Sequence, residues 1–343
     1  MASTDISSTE ISIEDIKAAQ KVIAGIADQT PLVPSPFMTA HTGGDFLLKL
    51  ENMQPIGAFK IRGAMTAIAA LPQDVPGVTC FSTGNHGRGV AFAAAKRGMK
   101  AVICMSSLVP QAKVDGIRAL GAEARIIGQS QDEAALEVER LCREEGYIDI
   151  SPFDDRHVIA GQGTIGIELL EKRPDLETIL VPLSGGGLAA GIALAAKTIK
   201  PSIKVIGISM DRGASMHASI TAGNPVEVEE FSSLADSLGG GIGLDNQYSF
   251  QMCRDYLDEI VLVTEDEIYR AMQQLYYEDR IVAEGACVVG IAALMSGKIT
   301  RAKPPMAAII TGRNLDMHMF TQIVSGQDVR LGDTVIKGAP YGL

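Results

Sequence analysis

Leu180-Val181-Pro182-Leu183-Ser184-Gly185-Gly186-Gly187-Leu188-Ala189-Ala190-Gly191 decides the fold. An apolar run ends in three consecutive glycines, after which small apolar residues resume without a turn signal, so the spacing predicts strand, tight turn and helix. Backbone N–H groups at such a helix start can point at an anion, and glycine lets the chain approach a phosphate without Cβ interference. Three readings stand at this point. The turn cradles a phosphate, or it binds no ligand, or Gly185, Gly187 and Ala190 form a dinucleotide fingerprint with Asp211 ending the next strand, as in a nicotinamide oxidoreductase.

Outward from the turn, the pattern predicts a helix over 161–172, strands over 178–183 and 203–209, and a helix over 187–199 between them. Toward the N-terminus, residues 77–150 alternate strand and helix, with strands at 78–81, 100–105 and 123–127 and helices at 86–97, 110–120 and 131–144. A helix capped by Ser12, a strand at 46–50 and a helix over 61–70 precede this unit. Toward the C-terminus come a glycine loop at 239–243, helices over 265–278 and 284–296, a strand at 306–311, and a polar tail marked by Pro340 and Gly342 that is expected to be mobile. The fold class expected is α/β with two parallel-sheet domains. Residues 73–154 form the small one, and residues 1–72 and 155–343 together form the large one.

Composition narrows the function. The 343 residues carry 30 Lys plus Arg against 41 Asp plus Glu, a net charge of −11, which argues against nucleic acid as a partner. No apolar run is long enough to span a membrane, and Met1 to Glu10 is polar, so a cytoplasmic protein is expected. The five cysteines lack metal or disulfide spacing and read as small buried apolar residues.

Two further segments carry chemistry. Ser82-Thr83-Gly84-Asn85-His86-Gly87 lies between a strand and a helix and offers hydroxyls, an amide and helix-start N–H groups suited to a carboxylate. Lys60 follows Gly57-Ala58-Phe59 at a helix start, where the local dipole disfavours its charge and favours amine chemistry.

Lys49-Leu50-Glu51-Asn52-Met53-Gln54-Pro55 followed by Gly57-Ala58-Phe59-Lys60-Ile61-Arg62-Gly63-Ala64 resembles the lysine motif of threonine dehydratases and serine racemases. These are fold-type II pyridoxal-phosphate enzymes with a tryptophan synthase β-like fold and the active site between two domains. The Ser82 to Gly87 loop is similar to their SxGNHG motif, Ser184 to Leu188 to their phosphate loop, and Thr311-Gly312-Arg313-Asn314 to their SGxN segment. With Thr30-Pro31-Leu32, the resemblance runs from about residue 12 to 320.

The resemblance implies pyridoxal 5′-phosphate as cofactor, with Lys60 as the Schiff-base and catalytic lysine. Gly185, Gly186, Gly187 and Leu188 become the phosphate cradle. Phe59, Asn85, Glu284 and Thr311 lie against the cofactor, with Asn85 at the pyridine 3′-oxygen and the Thr311 hydroxyl at the ring nitrogen. Ser82, Thr83, Asn85 and His86 hold the substrate carboxylate. A neutral alcohol at the ring nitrogen moderates the electron sink, which suits β-elimination. The reaction implied is loss of water from a hydroxylated amino acid, giving a keto acid and ammonia, by a homodimer or homotetramer.

The alternative on the same cofactor is a serine-type racemase, for which the opposite-face residue is Thr83 rather than serine. A silent amino-acid-binding module is the alternative outside catalysis. No metal is expected, because Val205-Ile206-Gly207-Ile208-Ser209-Met210-Asp211 lacks the glutamate that the racemase branch carries. Ser209 to His217 and Leu234 to Gly243 resemble a narrower group, the dehydratases of hydroxyectoine utilisation.

Overall fold

In the computed structural model, which describes residues 10–342 apart from 83, 108, 110 and 130, the chain opens on a capping box. The Ser12 hydroxyl accepts the Asp15 N–H, the Asp15 carboxylate accepts the Ser12 N–H, and α1 (Ile13–Ile23) starts there. Next come β1 (Leu32–Pro34), α2 (Pro36–Thr42), β2 (Phe46–Lys49) and α3 (Lys60–Ala70). A small alternating unit follows: β3 (Gly77–Phe81), α4 (Asn85–Arg97), β4 (Lys100–Met105), α5 (Gln111–Ala119), β5 (Glu123–Ile126), α6 (Gln131–Glu145) and β6 (Ile148–Asp149). The chain then returns through α7 (Arg156–Lys172), β7 (Thr178–Pro182), α8 (Gly187–Ile199), β8 (Lys204–Met210), α9 (Ser215–Ala222) and α10 (Ser249–Tyr256). It ends with β9 (Glu259–Val263), α11 (Glu265–Asp279), α12 (Val289–Met295), β10 (Met306–Ile309), α13 (Met317–Val324) and the hairpin β11 (Val329–Leu331) with β12 (Thr334–Ile336).

The strands make two main sheets. The smaller has order β5-β4-β3-β6 and is parallel throughout. The larger has order β1-β2-β10-β7-β8-β9, parallel except for β1. Its strands alternate in the manner of a sheet covered on both faces. Phe46, Leu48 and Leu180 enter one core with α11 and α12, while Leu47, Ile179 and Val181 enter the other with α7 and α8. Because β2, β10, β7 and β8 run the same way, the loops that leave their C-terminal ends open on one edge, where α/β sheets place ligands.

Helices α3, α7 and α8 cross at backbone contact distance. A Cβ at Gly191 would come within 2.3 Å of the Ile159 oxygen, and one at Gly161 within 2.6 Å of the Arg62 oxygen. Helix α3 also contributes Ile61, Ala64, Met65 and Ile68 to the core of the small unit.

Beneath the start of α3 lies a buried charge cluster. The Arg62 guanidinium donates to Glu51 at 2.8 Å and to Glu168 at 2.6 Å, and Lys49 Nζ donates to Glu168 at 2.5 Å. Thr30 donates its hydroxyl to Glu51 at 2.6 Å. Burial alone pushes the Glu51 carboxyl up, but Arg62 and Lys49 outweigh it and hold the group below the usual carboxylate range. Two cations thus face two carboxylates out of water, joining β2, the turn after it, α3 and α7.

Several expectations need correction. Helix α7 begins at Arg156, five residues before 161, because Asp155 accepts the N–H groups of His157 and Val158 as its cap. The helix expected over 284–296 divides into a 3₁₀ turn, Gly285–Cys287, and α12. Strand β9, helices α9, α10 and α13, and the hairpin were not anticipated. The tail is docked: Gln273 donates to the Ala339 oxygen at 2.8 Å, and Tyr341 stacks on Tyr277 at 4.9 Å between centroids. No helix among the described residues is long and apolar enough to cross a membrane.

Replacing Arg62 by Met leaves Glu51 and Glu168 buried without their main partner, and is expected to lower unfolding stability by about 3–5 kcal/mol. Urea denaturation monitored by circular dichroism checks this; a loss under about 1 kcal/mol would reject the cluster as the anchor of α3.

Candidate active site

The loop from β2 to α3 and the loop after β10 run side by side. Ala58 and Gly312 form an antiparallel bridge, the Phe59 N–H donates to the Thr311 oxygen at 3.0 Å, and the Arg313 N–H donates to the Gly57 oxygen at 2.9 Å. Lys60, the first residue of α3, is thereby carried to the edge where β10 and β7 end. Gly57 adopts φ +77°, and a Cβ there would come within 3.0 Å of the Asn314 side-chain oxygen, so both the turn and the close approach call for glycine.

The Lys60 amine donates to the Pro152 oxygen at 2.6 Å and lies 5.3 Å from the Phe59 ring centroid. Burial lowers its pKa from 10.5 to about 8. Desolvation, rather than the helix dipole invoked from the sequence, is the main cause, because a buried ammonium loses water that a carbonyl replaces only in part.

The glycine turn packs against Phe153, which follows Pro152 in the strap between β6 and α7. A Cβ at Gly185 would strike the Phe153 ring at 2.2 Å, and one at Gly187 the Phe153 oxygen at 2.5 Å. Gly186 has φ +92° and caps α8 with no side-chain hydrogen bond. The N–H groups of the first turn of α8, with Leu188 buried among them, are therefore left for an external anion.

From the small unit, Asn85 opens α4. Its Nδ2 lies 3.0 and 2.9 Å from the two Glu284 carboxylate oxygens, and its Oδ1 accepts from Asn314 Nδ2 at 2.7 Å. Burial raises the Glu284 carboxyl, although Asn85, the Asn314 N–H and the Ser237 hydroxyl all favour its charged form. Thr311 is buried at 5% exposure, and its hydroxyl lies 3.2 Å from the Cys287 sulfur. Cys287 is thus more than an apolar filler: it also donates to the Gly312 oxygen at 3.0 Å, and burial pushes its thiol up to about 12, so it stays protonated.

The structure therefore links Phe59, Thr311, Cys287, Glu284 and Asn85 through hydrogen bonds, with Lys60 next to Phe59 in the chain and joined to Gly185 to Leu188 through Pro152 and Phe153. Ser82 is partly exposed beside Asn85, and its hydroxyl accepts the Gly84 N–H at 3.4 Å. Thr83 lies outside the described residues.

The His86 ring is engaged away from the Ser82 to Gly87 loop, which leaves the backbone N–H of His86 for a carboxylate. Its Nε2 is 2.6 Å from the Ile150 oxygen, which can only accept, so Nε2 carries the proton. Burial pushes the ring's pKa down to about 3, so it is neutral and its Nδ1 is an acceptor that repels a carboxylate. The ring braces the strap instead. Arg313 is exposed, whereas Thr311 is buried.

Pro152, Ser237, Cys287 and the amide of Asn314 were missed as site residues. The SGxN resemblance pointed to Asn314, whereas nothing local marks the other three. Among the described residues no group of three or more His, Cys, Asp or Glu is placed to hold a metal ion.

These groups suit a phosphorylated aromatic aldehyde. An amine of depressed pKa can condense with the aldehyde, an uncapped helix start with three glycines can take the phosphate, and an amide and a neutral hydroxyl remain for the ring. Comparison with known proteins agrees. The family model described as pyridoxal-phosphate dependent enzyme matches residues 23–312. A Sinorhizobium fredii protein named provisionally as a threonine dehydratase is 50% identical over 320 residues, 93% of this chain and 96% of that protein. The L-threonine ammonia-lyase of Thermotoga maritima is 39% identical over 95% of this chain and 81% of its own. The structure of maize serine racemase superposes with a TM-score of 0.85 at 33% identity, covering 91% of this chain and 96% of that one.

Acylation of Lys60 in the apoprotein, followed by mass spectrometry across pH 6–10, is expected to rise with a midpoint of about 8. Below that pH the amine is charged and unreactive. A midpoint near about 10.4, that of a solvated lysine, would reject the burial argument.

Proposed function

The chain belongs to the pyridoxal-phosphate dependent enzymes, and from that premise we propose that it eliminates water from a hydroxylated amino acid, releasing a keto acid and ammonia. It is a lyase of the threonine dehydratase kind, and family membership displaces the dinucleotide reading of Gly185, Gly187 and Ala190. The observation that carries the proposal is the Lys60 amine, held at 2.6 Å by a backbone carbonyl and lowered by burial to a pKa of about 8.

When bound, the cofactor supplies an electron sink conjugated to the substrate's α-carbon. The protein groups do the rest. Lys60 Nζ, near half-deprotonated at pH 8, removes the α-proton, and the Pro152 oxygen stabilises the ammonium that results. Ser82 and the N–H groups at the start of α4, those of Asn85 and His86 among them, hold the substrate carboxylate. Thr311 offers a hydroxyl, which does not fully protonate a ring nitrogen, so negative charge is better discharged than stored, and the β-hydroxyl leaves as water on taking the proton that Lys60 Nζ holds.

The substrate is read as threonine, serine or a ring-opened derivative of hydroxyectoine. The last is supported by the two stretches that resemble hydroxyectoine dehydratases. Ser215 of the first donates to the Gly240 oxygen of the second at 2.7 Å, and Ser237 of the second reaches Glu284 at 3.4 Å. Differences in these stretches thus bear on the site edge.

Holoenzyme incubated with threonine, serine and hydrolysed hydroxyectoine is expected to release equal amounts of keto acid and ammonia from at least one of them. Borohydride should fix the cofactor on Lys60, and Lys60→Ala should abolish release. An adduct on another residue, or substrate recovered only as its enantiomer, would overturn the reading. Thr311→Val should lower kcat about tenfold or more, a loss on the order of 1.4 kcal/mol, while shifting the melting temperature by only a few degrees. Unchanged turnover would remove Thr311 from the cofactor.

A further inference from the structure

The Ile56 carbonyl can only accept a hydrogen bond, and this fact propagates across the site. Asn314 Nδ2 is 2.9 Å from it, so the nitrogen end of that amide must face Ile56. The same Nδ2 is 2.7 Å from Asn85 Oδ1, which places both amide protons of Asn314 and obliges Asn85 to present its oxygen there. Asn85 Nδ2 must then face Glu284, at 3.0 and 2.9 Å from the carboxylate oxygens. Glu284 is held in turn by the Asn314 backbone N–H at 2.7 Å. Turning the Asn85 amide over would set oxygen against carboxylate and NH₂ against NH₂. It has one orientation, dictated by a backbone carbonyl four residues before Lys60.

The chain also spans the two sheets' units. Asn85 belongs to the small one, at the start of α4, whereas Glu284 and Asn314 come from loops of the large one. We propose that Asn314 is a positioning residue. It fixes the Asn85 amide so that an N–H, rather than a carbonyl, remains for the cofactor's 3′-oxygen, and it makes that offer depend on the small unit resting against the large one. The inference rests on the cofactor assignment but not on the identity of the substrate.

The test uses pyridoxal phosphate itself as probe. Asn314→Ser removes the amide while keeping the backbone N–H that holds Glu284, and Asn314→Asp replaces the donor by an acceptor of the same shape. Relative to wild type, Asn314→Ser is expected to weaken cofactor binding by the apoprotein about tenfold and to move the visible absorption maximum of the holoenzyme, with Asn314→Asp worse. In an Asn85→Ala background, adding Asn314→Ser should cost little more, because the residue it positions is gone. A brace of purely structural role would lower the melting temperature but leave the absorption band in place and add fully to Asn85→Ala; either result overturns the proposal. Should no substrate turn over, the dehydratase reading fails while this measurement still decides. Should keto acid appear with cofactor binding unaltered in Asn314→Ser, only the positioning role falls.

Discussion

Arg62 has no exposed surface, and a guanidinium stays out of water only while carboxylates face it. Glu51, from the turn after β2, and Glu168, from α7, supply those partners at 2.8 and 2.6 Å. The position of α3 follows from that requirement, because the helix cannot slide or turn without stranding a charge. Lys60 stands two residues before Arg62 at the head of the same helix, so its amine inherits its place from a cluster that it does not itself join. A hydrophobic contact could have packed α3 as tightly, but a multi-point ionic network specifies its rotation and register as well.

Around that anchor the site is assembled from chain ends rather than from neighbours in sequence. Strand β10 enters the large sheet between β2 and β7, which sets the Thr311 to Asn314 loop beside Gly57 to Lys60 and near the glycine turn. The strap from Ile150 to Asp155 closes the arrangement. Its carbonyls accept from His86 and Lys60, Phe153 packs on the glycine turn, and Asp154 accepts the N–H groups of Gln247, Tyr248 and Ser249 at 2.7–2.9 Å. Joining two sheets through such a strap ties Lys60, the glycine turn and the start of α4 to one another, so their spacing does not depend on the flexibility of any single loop.

Polarity in the site is settled by acceptors that cannot donate. The Ile150 oxygen decides the His86 tautomer, and the Ile56 oxygen decides the orientation of two asparagine amides in succession. Burial does the complementary work on charge: it lowers the Lys60 pKa, keeps His86 neutral and holds Cys287 as a thiol beside Thr311.

The strand–glycine–helix turn at 180–191, the Ser12 cap, the alternation over 77–150 and the lysine segment are local signals, governed by periodicity, caps and glycine, and these the sequence determined by itself. Helices α9, α10 and α13 escaped because they are only eight residues each, and β9 because it is a short edge strand. The start of α7 was missed because its cap is an aspartate within a loop. The lysine segment, the Ser82 to Gly87 loop and the glycine turn were legible one by one, but His86 shows that a side chain suited to a ligand can be claimed by a carbonyl 64 positions away. Only the tertiary structure decided the insertion of β10 between β2 and β7, the Lys60–Pro152 contact and the Asn85–Glu284–Asn314 chain. Each joins residues far apart along the polypeptide, and nothing in a local window encodes which distant acceptor a buried donor will meet.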